Sequence, residues 1–124
     1  MDVYKTATCG CCGKWVAHVQ QNGFDVQVHE VPGTAEYRQK FGVPEKLASC
    51  HTGVVDGYGI EGHVPADDIH RLLKDRPANA KGLAVPGMPL GSPGMEQGAG
   101  RAAYDVMLFS SDGTSSVFRH YDAK

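Results

Sequence analysis

The sequence of 124 residues lacks the features that mark two large functional classes. It has no run of lysine or arginine and a formal net charge of −2, so it carries no electrostatic footprint for nucleic acid. Its apolar runs are short, with pieces such as 106–109 among the longest, whereas a membrane-spanning helix needs roughly 18 apolar residues. No signal peptide is visible, which fits a cytosolic protein and equally a mature form without its leader. The length predicts one domain, 1–124, with a single core.

The order of strand and helix patterns predicts an α/β fold. Alternating apolar residues predict four strands, at 3–7, 24–31, 51–55 and 58–64. Amphipathic spacing predicts a helix at about 13–22, another at 34–41 capped by Thr34, and a third that begins at Pro65. A further helical turn is expected at 45–48, and Asp56-Gly57 predicts a tight turn between the third and fourth strands. This βαβα-ββα order is that of a thioredoxin-like fold, with its core over about 3–76.

The remainder of the chain is predicted to be an appendage to that core. Residues 82–100 read as a loop rich in glycine, proline and methionine, and they contain Met88 and Met95. A β-hairpin is expected at about 104–121, around Asp112-Gly113. Three aromatic residues are predicted to be buried in the core, namely Trp15, Tyr37 and Phe41.

Three of the four cysteines fall within four positions of the stretch T-A-T-C-G-C-C-G-K-W, residues 6–15. Cys9 and Cys12 have C-x-x-C spacing between a predicted strand and a predicted helix. Free N–H groups and the helix dipole at such a helix start lower a cysteine pKa from ~8.5 to roughly 3.5–7.5. The resulting thiolate is both a nucleophile and a metal ligand. Cys9 and Cys12 therefore suit either the redox pair of a thiol–disulfide oxidoreductase acting on proteins or a metal–thiolate site.

Cys11 and Cys50 favour the metal interpretation. A third thiol beside a dithiol pair promotes disulfide scrambling. Cys50 directly precedes the third predicted strand, and in a thioredoxin-like chain this position faces the C-x-x-C motif. Thiolates suit Zn(II), Cu(I) and iron–sulfur clusters. Adjacent Cys11 and Cys12 would bind one tetrahedral zinc ion only with strain, whereas thiolates that bridge several Cu(I) ions fit bunched cysteines.

Other roles stay open for the neighbouring donors. His51 suits a metal ligand and, nearly as well, a histidine that hydrogen-bonds the loop, while His63 could lie at the same edge of the sheet. Met95 could equally pack against the sheet as a core residue. A Cys9–Cys12 disulfide would be the metal-free state of the site, and a zinc-stabilised module would unfold on chelation.

Four motifs in this order resemble the bacterial CopG-type copper-resistance proteins, a metal-binding family formerly of unknown function. They are C-G-C-C-x-x-W (9–15), G-V-P-x-x-L-x-S-C-H-T (42–52), G-Y-x-I-E-G-H-V-P-A (57–66) and G-L-A-V-P-G-M-P-x-G-S-P-G-M-E (82–96). The resemblance covers about residues 3–121. It departs from the family pattern at Ala7, where a proline is expected before the cysteine motif.

The resemblance implies a periplasmic protein of copper tolerance that binds Cu(I), as one ion or several, without another cofactor. It implies that the copper ligands or bridges are Cys9, Cys11, Cys12 and Cys50, with Met88 and His51 as further ligands ahead of Met95 and His63. Copper ions and other copper-handling proteins are the expected partners, and insertion into a membrane is not expected. Interconversion of Cu(I) and Cu(II) by the dithiol would make the protein an oxidoreductase, and the sequence leaves that activity open.

Overall fold

The computed structural model describes residues 1–7, 10–49, 51–86, 92–93 and 102–122, with Cys11, Cys12 and Glu45 described by their backbone alone. Within these residues the chain forms three helices and seven strands. The helices are α1 (Gly10–Gln21), α2 (Ala35–Lys40) and α3 (Ala66–Asp75), with a 3-10 helix at Glu45–Leu47. The strands are β1 (Asp2–Lys5), β2 (Gln27–Glu30), β3 (His51–Val55), β4 (Tyr58–Glu61), β5 (Ala80–Ala84), β6 (Tyr104–Ser110) and β7 (Ser115–Tyr121). The predicted α/β class is confirmed.

All seven strands join one sheet in the order β2-β1-β3-β4-β5-β6-β7. β1 pairs with β2 in parallel, and β3 is antiparallel to both β1 and β4. Up to α3 the elements follow one another in the predicted βαβα-ββα order, with the 3-10 helix before β3. The turn between β3 and β4 places Asp56 at φ 49° and Gly57 at φ 83°, the left-handed pair that a two-residue hairpin needs.

Strand β5 is a finding that the sequence patterns did not predict. It pairs in parallel with β4 and antiparallel with β6, so the hairpin β6–β7 continues the main sheet and does not stand apart from it. Gly82 of β5 lies opposite Gly59 of β4, and a Cβ at position 82 would overlap the Gly59 carbonyl. In the sequence, Gly82 indicated the start of a loop. The structure shows that a glycine is needed there because the backbones of β4 and β5 approach closely at this point.

The main core lies on the face of the sheet that α1 and α3 cover. Trp15 and Val19 of α1 and Ile69 and Leu72 of α3 are fully buried there, together with strand residues such as Leu83. Full burial of one such side chain stabilises the fold by roughly 1.5–3 kcal/mol. The prediction that Trp15 is a core residue is confirmed.

The prediction that Tyr37 and Phe41 are core residues is wrong. Helix α2 has no buried residue, and both rings are only partly covered. Tyr37 stacks on Tyr4 of β1 with ring centroids 4.1 Å apart, and Phe41 lies 6.5 Å from the same ring. The spacing of the two aromatics is helical as predicted, but α2 has only six residues and ends at Lys40, so it leaves both rings partly exposed.

Two local expectations also differ from the structure. Thr34 does not cap α2 through its side chain; its hydroxyl accepts a hydrogen bond from Arg38 Nη1 at 2.6 Å. Strand β2 is shorter than the predicted 24–31, and Val28 is 43% exposed because β2 is an edge strand. No helix among the described residues is long and apolar enough to cross a membrane.

Candidate metal site

Most of the predicted ligands lie outside the residues that the structure describes. Cys9, Cys50, Met88 and Met95 are not described, and Cys11 and Cys12 are described by their backbone alone. His51 and His63 have fully described side chains. Among the described residues no group of three or more histidine, cysteine, aspartate or glutamate side chains converges to hold a metal ion.

Cys11 and Cys12 belong to the first turn of α1, which begins at Gly10. That turn reads G-C-C-G and contains no acidic residue. The backbone N–H groups and positive dipole of a helix start stabilise a thiolate. The backbone of Cys11 and Cys12 therefore lies at the kind of helix position that stabilises a thiolate.

His51 is the first residue of β3, and its side chain is fully buried. Its ring lies 4.3 Å from the ring of Trp15, centroid to centroid. Burial lowers the pKa of His51 to about 3, with the nearby His63 adding to the shift and a hydrogen bond to the Gly62 backbone opposing it. The imidazole is thus neutral near pH 7, which is the form that binds a metal.

His63 follows β4 by two residues and is also fully buried. Its ring meets that of His51 edge to face, with centroids 5.3 Å apart. Nδ1 is bonded to the carbonyl oxygen of Pro93, and because a carbonyl only accepts, Nδ1 donates the proton of this hydrogen bond. Histidines that bind a metal through one ring nitrogen usually donate the N–H of the other nitrogen to a carbonyl, a carboxylate or water, and the His63–Pro93 bond is of this kind. The bond also brings buried Pro93, from the glycine- and proline-rich segment, against the His63 imidazole.

Helix α1 holds the chain that follows His63. The indole N–H of Trp15 donates to the Val64 carbonyl at 2.8 Å, and the Ala66 N–H donates to Nε2 of His18 at 3.1 Å. The His18 ring is half-buried and contacts the start of α3. The same helix therefore bears two of the cysteines and fixes the segment next to His63.

Two further histidines have partners that the sequence did not reveal. His29 Nε2 lies 3.1 Å from Asp2 Oδ1, across the parallel pair β1–β2. His120 Nδ1 lies 2.6 Å from Asp105 Oδ1, and its Nε2 lies 3.1 Å from Asp122 Oδ1. Both contacts join exposed side chains.

Sequence reasoning missed Glu61, a carboxylate that is fully buried at the end of β4. It accepts hydrogen bonds from the Ser49 N–H at 2.7 Å and from the Thr52 hydroxyl at 2.5 Å. The sequence signal that could have identified it is a charged residue in the middle of the predicted strand 58–64, since a carboxylate that becomes buried needs hydrogen-bond or charge partners.

The comparisons with known proteins bear on the whole chain. The family model described as "Protein of unknown function, DUF411" matches residues 47–95, a range that includes Cys50, His51, His63 and Met88. No curated protein matches this chain.

Two solved structures match at high identity. "Copper resistance protein copG- Form 1" is 46% identical, with 98% of this chain and 95% of that chain covered and a TM-score of 0.91. "Copper resistance protein copG- Form 2" is 47% identical, with 97% and 95% covered and the same TM-score. Identity at this level over nearly the full length shows common descent, and this chain belongs to the family of the copper resistance protein CopG.

Proposed function

We propose that this protein binds Cu(I) in bacterial copper resistance, at a thiolate site with six ligands or bridges: Cys9, Cys11, Cys12, Cys50, Met88 and His51. One observation carries the proposal. The imidazoles of His51 and His63 are fully buried with ring centroids 5.3 Å apart, and the His51 ring lies 4.3 Å from that of Trp15, a residue of the helix whose first turn bears Cys11 and Cys12.

The donor chemistry supports copper over other metals. Thiolate, thioether and neutral imidazole are soft or intermediate ligands, and Cu(I) prefers them to the carboxylates that Mg²⁺ or Ca²⁺ would need. Adjacent Cys11 and Cys12 suit sulfur atoms that bridge neighbouring ions, so the site holds more than one copper. The copper is cargo that the protein stores or passes on, and the expected partners are other copper-handling proteins of the periplasm.

A redox role for the same site is chemically balanced. Oxidation of Cys9 and Cys12 to a disulfide releases two electrons, which reduce two Cu(II) ions to two Cu(I) ions. The protein would then act as a copper oxidoreductase, and its disulfide would need a reductant of the thiol class to restore it.

An anaerobic titration of the fully reduced protein with Cu(I), against a coloured chelator, tests the proposal. We expect more than one tightly held copper per chain, and fewer when Cys11→Ser is introduced. His120→Ala is the matched control, because His120 is exposed and bonded to surface aspartates. A reduced protein that takes no Cu(I) from a weak chelator would contradict the proposal.

The second candidate is a thiol–disulfide oxidoreductase that acts on proteins. The observation in its favour is the position of Cys12 in the first turn of a helix that follows a strand, since this is where thiolate nucleophiles form. Reduction of an insulin-type disulfide at a useful rate, undiminished by Cys11→Ser and Cys50→Ser, would favour this activity over copper binding.

A further inference from the structure

Glu61 bonds to the chain on both sides of the Cys50-His51 pair. One carboxylate oxygen accepts the Ser49 N–H at 2.7 Å, and the other accepts the Thr52 hydroxyl at 2.5 Å. Glu61 and Thr52 are also paired residues of the β3–β4 ladder. The carboxylate therefore anchors Ser49 and Thr52, and the chain leaves only Cys50 and His51 between them.

The charge of Glu61 has one cationic neighbour among the described ion pairs. Arg38 Nη1 lies 3.9 Å from Oε2, and the Arg38 side chain is itself 14% exposed and held by the Thr34 hydroxyl. A buried ion pair can often be replaced by apolar residues without loss of stability. Stability alone therefore does not account for a fully buried carboxylate at this position, and its two hydrogen-bond donors point to a role in placing the segment next to Cys50.

The backbone at Glu61 and Gly62 binds two more segments of the site. The Glu61 carbonyl accepts the Val85 N–H at 3.0 Å, where β5 leads into the methionine-bearing segment, and the Gly62 N–H donates to the His51 carbonyl at 3.0 Å. Gly62 has φ 78°, and a Cβ there would lie 2.6 Å from the Val85 carbonyl oxygen and 2.7 Å from Ser49 Cβ. Three segments thus meet around one dipeptide.

We propose that Glu61, with Arg38 as its counter-ion, is a positioning residue of the copper site. It holds Ser49 and Thr52 so that Cys50 and His51 present their donor atoms in one arrangement. This inference rests on the proposed copper binding and adds a residue that does not itself contact the metal.

The test replaces Glu61 with glutamine. Glu61→Gln keeps the size of the side chain but puts an NH₂ group where a donor needs an acceptor, so one anchor is lost. We expect Cu(I) affinity to fall by about 10- to 100-fold, the usual loss when a group that orients a ligand is removed. X-ray absorption of the copper-loaded variant should show fewer sulfur neighbours per copper, a change that a general loss of stability does not produce.

Asp68→Asn is the matched control. Asp68 is also a fully buried carboxylate, bonded to the Tyr121 hydroxyl and 3.6 Å from Arg119, and its partners lie in β7. This variant should bind Cu(I) as the wild type does. Thr52→Val, which removes one donor and keeps the shape, gives a smaller loss than Glu61→Gln and decides the matter if the glutamine variant does not fold.

A copper-independent measurement separates this inference from the proposed function. In a metal-free protein with serine at Cys9, Cys11 and Cys12, the rate at which iodoacetamide alkylates Cys50 should change with Glu61→Gln and stay constant with Asp68→Asn. Equal alkylation rates and equal Cu(I) affinities in wild type and Glu61→Gln would overturn the inference. A wild type that binds no Cu(I), but whose Cys50 reactivity depends on Glu61, would overturn the copper proposal and keep the positioning role.

Discussion

Replacement of Trp15 by phenylalanine tests whether α1 holds the histidine segment in the way that the contacts indicate. Trp15 is fully buried, donates its indole N–H to the Val64 carbonyl at 2.8 Å, and packs its ring 4.3 Å from that of His51. Phenylalanine keeps a ring against His51 but cannot donate a hydrogen bond. The change therefore removes one buried hydrogen bond and leaves a small cavity where one of the two fused rings of the indole was.

The expected cost follows from these two losses. A buried carbonyl that loses its donor costs about 1–3 kcal/mol, and the small cavity adds roughly 1 kcal/mol. The sum, about 2–4 kcal/mol, is smaller than the ~5–15 kcal/mol that stabilises a typical domain, so the Trp15→Phe variant should still fold. For a chain of this size the melting temperature should fall by roughly 8–15 °C.

Thermal unfolding of the reduced, metal-free protein, followed by far-UV circular dichroism, measures this change. Fluorescence is unsuitable because Trp15 is the single tryptophan. Phe109→Leu serves as the control: Phe109 is fully buried in the smaller cluster with Val43 and Leu47, so it should lower stability without lowering Cu(I) affinity, whereas Trp15→Phe should lower both. A Trp15→Phe melting temperature within about 2 °C of the wild type would refute the reasoning, since it corresponds to well under 1 kcal/mol.

Two further predictions concern a buried acid and a strained glycine. Burial raises the pKa of Asp68 above its usual value although Tyr121 and Arg119 favour its charged form. Because the pKa is higher in the folded state, the free energy of unfolding is largest below about pH 4 and falls as the pH rises through the folded-state pKa. Urea unfolding of Asp68→Asn at several pH values should show a smaller fall than the wild type. Parallel curves of unfolding free energy against pH would contradict this prediction. Gly62→Ala should cost about 2–4 kcal/mol, from left-handed strain plus overlap, whereas Gly57→Ala, at φ 83° with open space around it, should cost about 1–2 kcal/mol in the same assay. Equal losses in the two alanine variants would show that the overlap at Gly62 is relieved without cost.

The elements that could be predicted are those with a local signal. Three such elements are the Asp56-Gly57 turn, the helix that begins after Pro65 and the cysteine-bearing start of α1. Each depends on neighbours within a few positions of the sequence. The family resemblance, carried by four long motifs, was likewise confirmed. In each case the information lies in residues that are close along the chain.

The features that could not be predicted depend on partners far along the chain. Strand β5 forms because Gly82 can approach Gly59, a contact across 23 positions that leaves only a short, glycine-interrupted pattern in the sequence. The acceptor role of Glu61 requires that Ser49, which precedes β3, and Thr52 of β3 both lie beside its carboxylate. Periodicity predicts the face of the strand on which a residue lies, but it does not identify the residue that it contacts there.

The two buried carboxylates show why burial alone does not identify a functional residue. Glu61 and Asp68 are both fully buried, and each has an arginine within 4.0 Å. Asp68 bonds to Tyr121 and so ties α3 to the edge strand β7, a contact whose removal should cost stability and nothing else. Glu61 bonds to the residues that flank Cys50 and His51, so its removal should alter copper binding more than unfolding. If copper affinity instead followed stability in both variants, the fold as a whole, and not the Glu61 anchor, would set the geometry of the site.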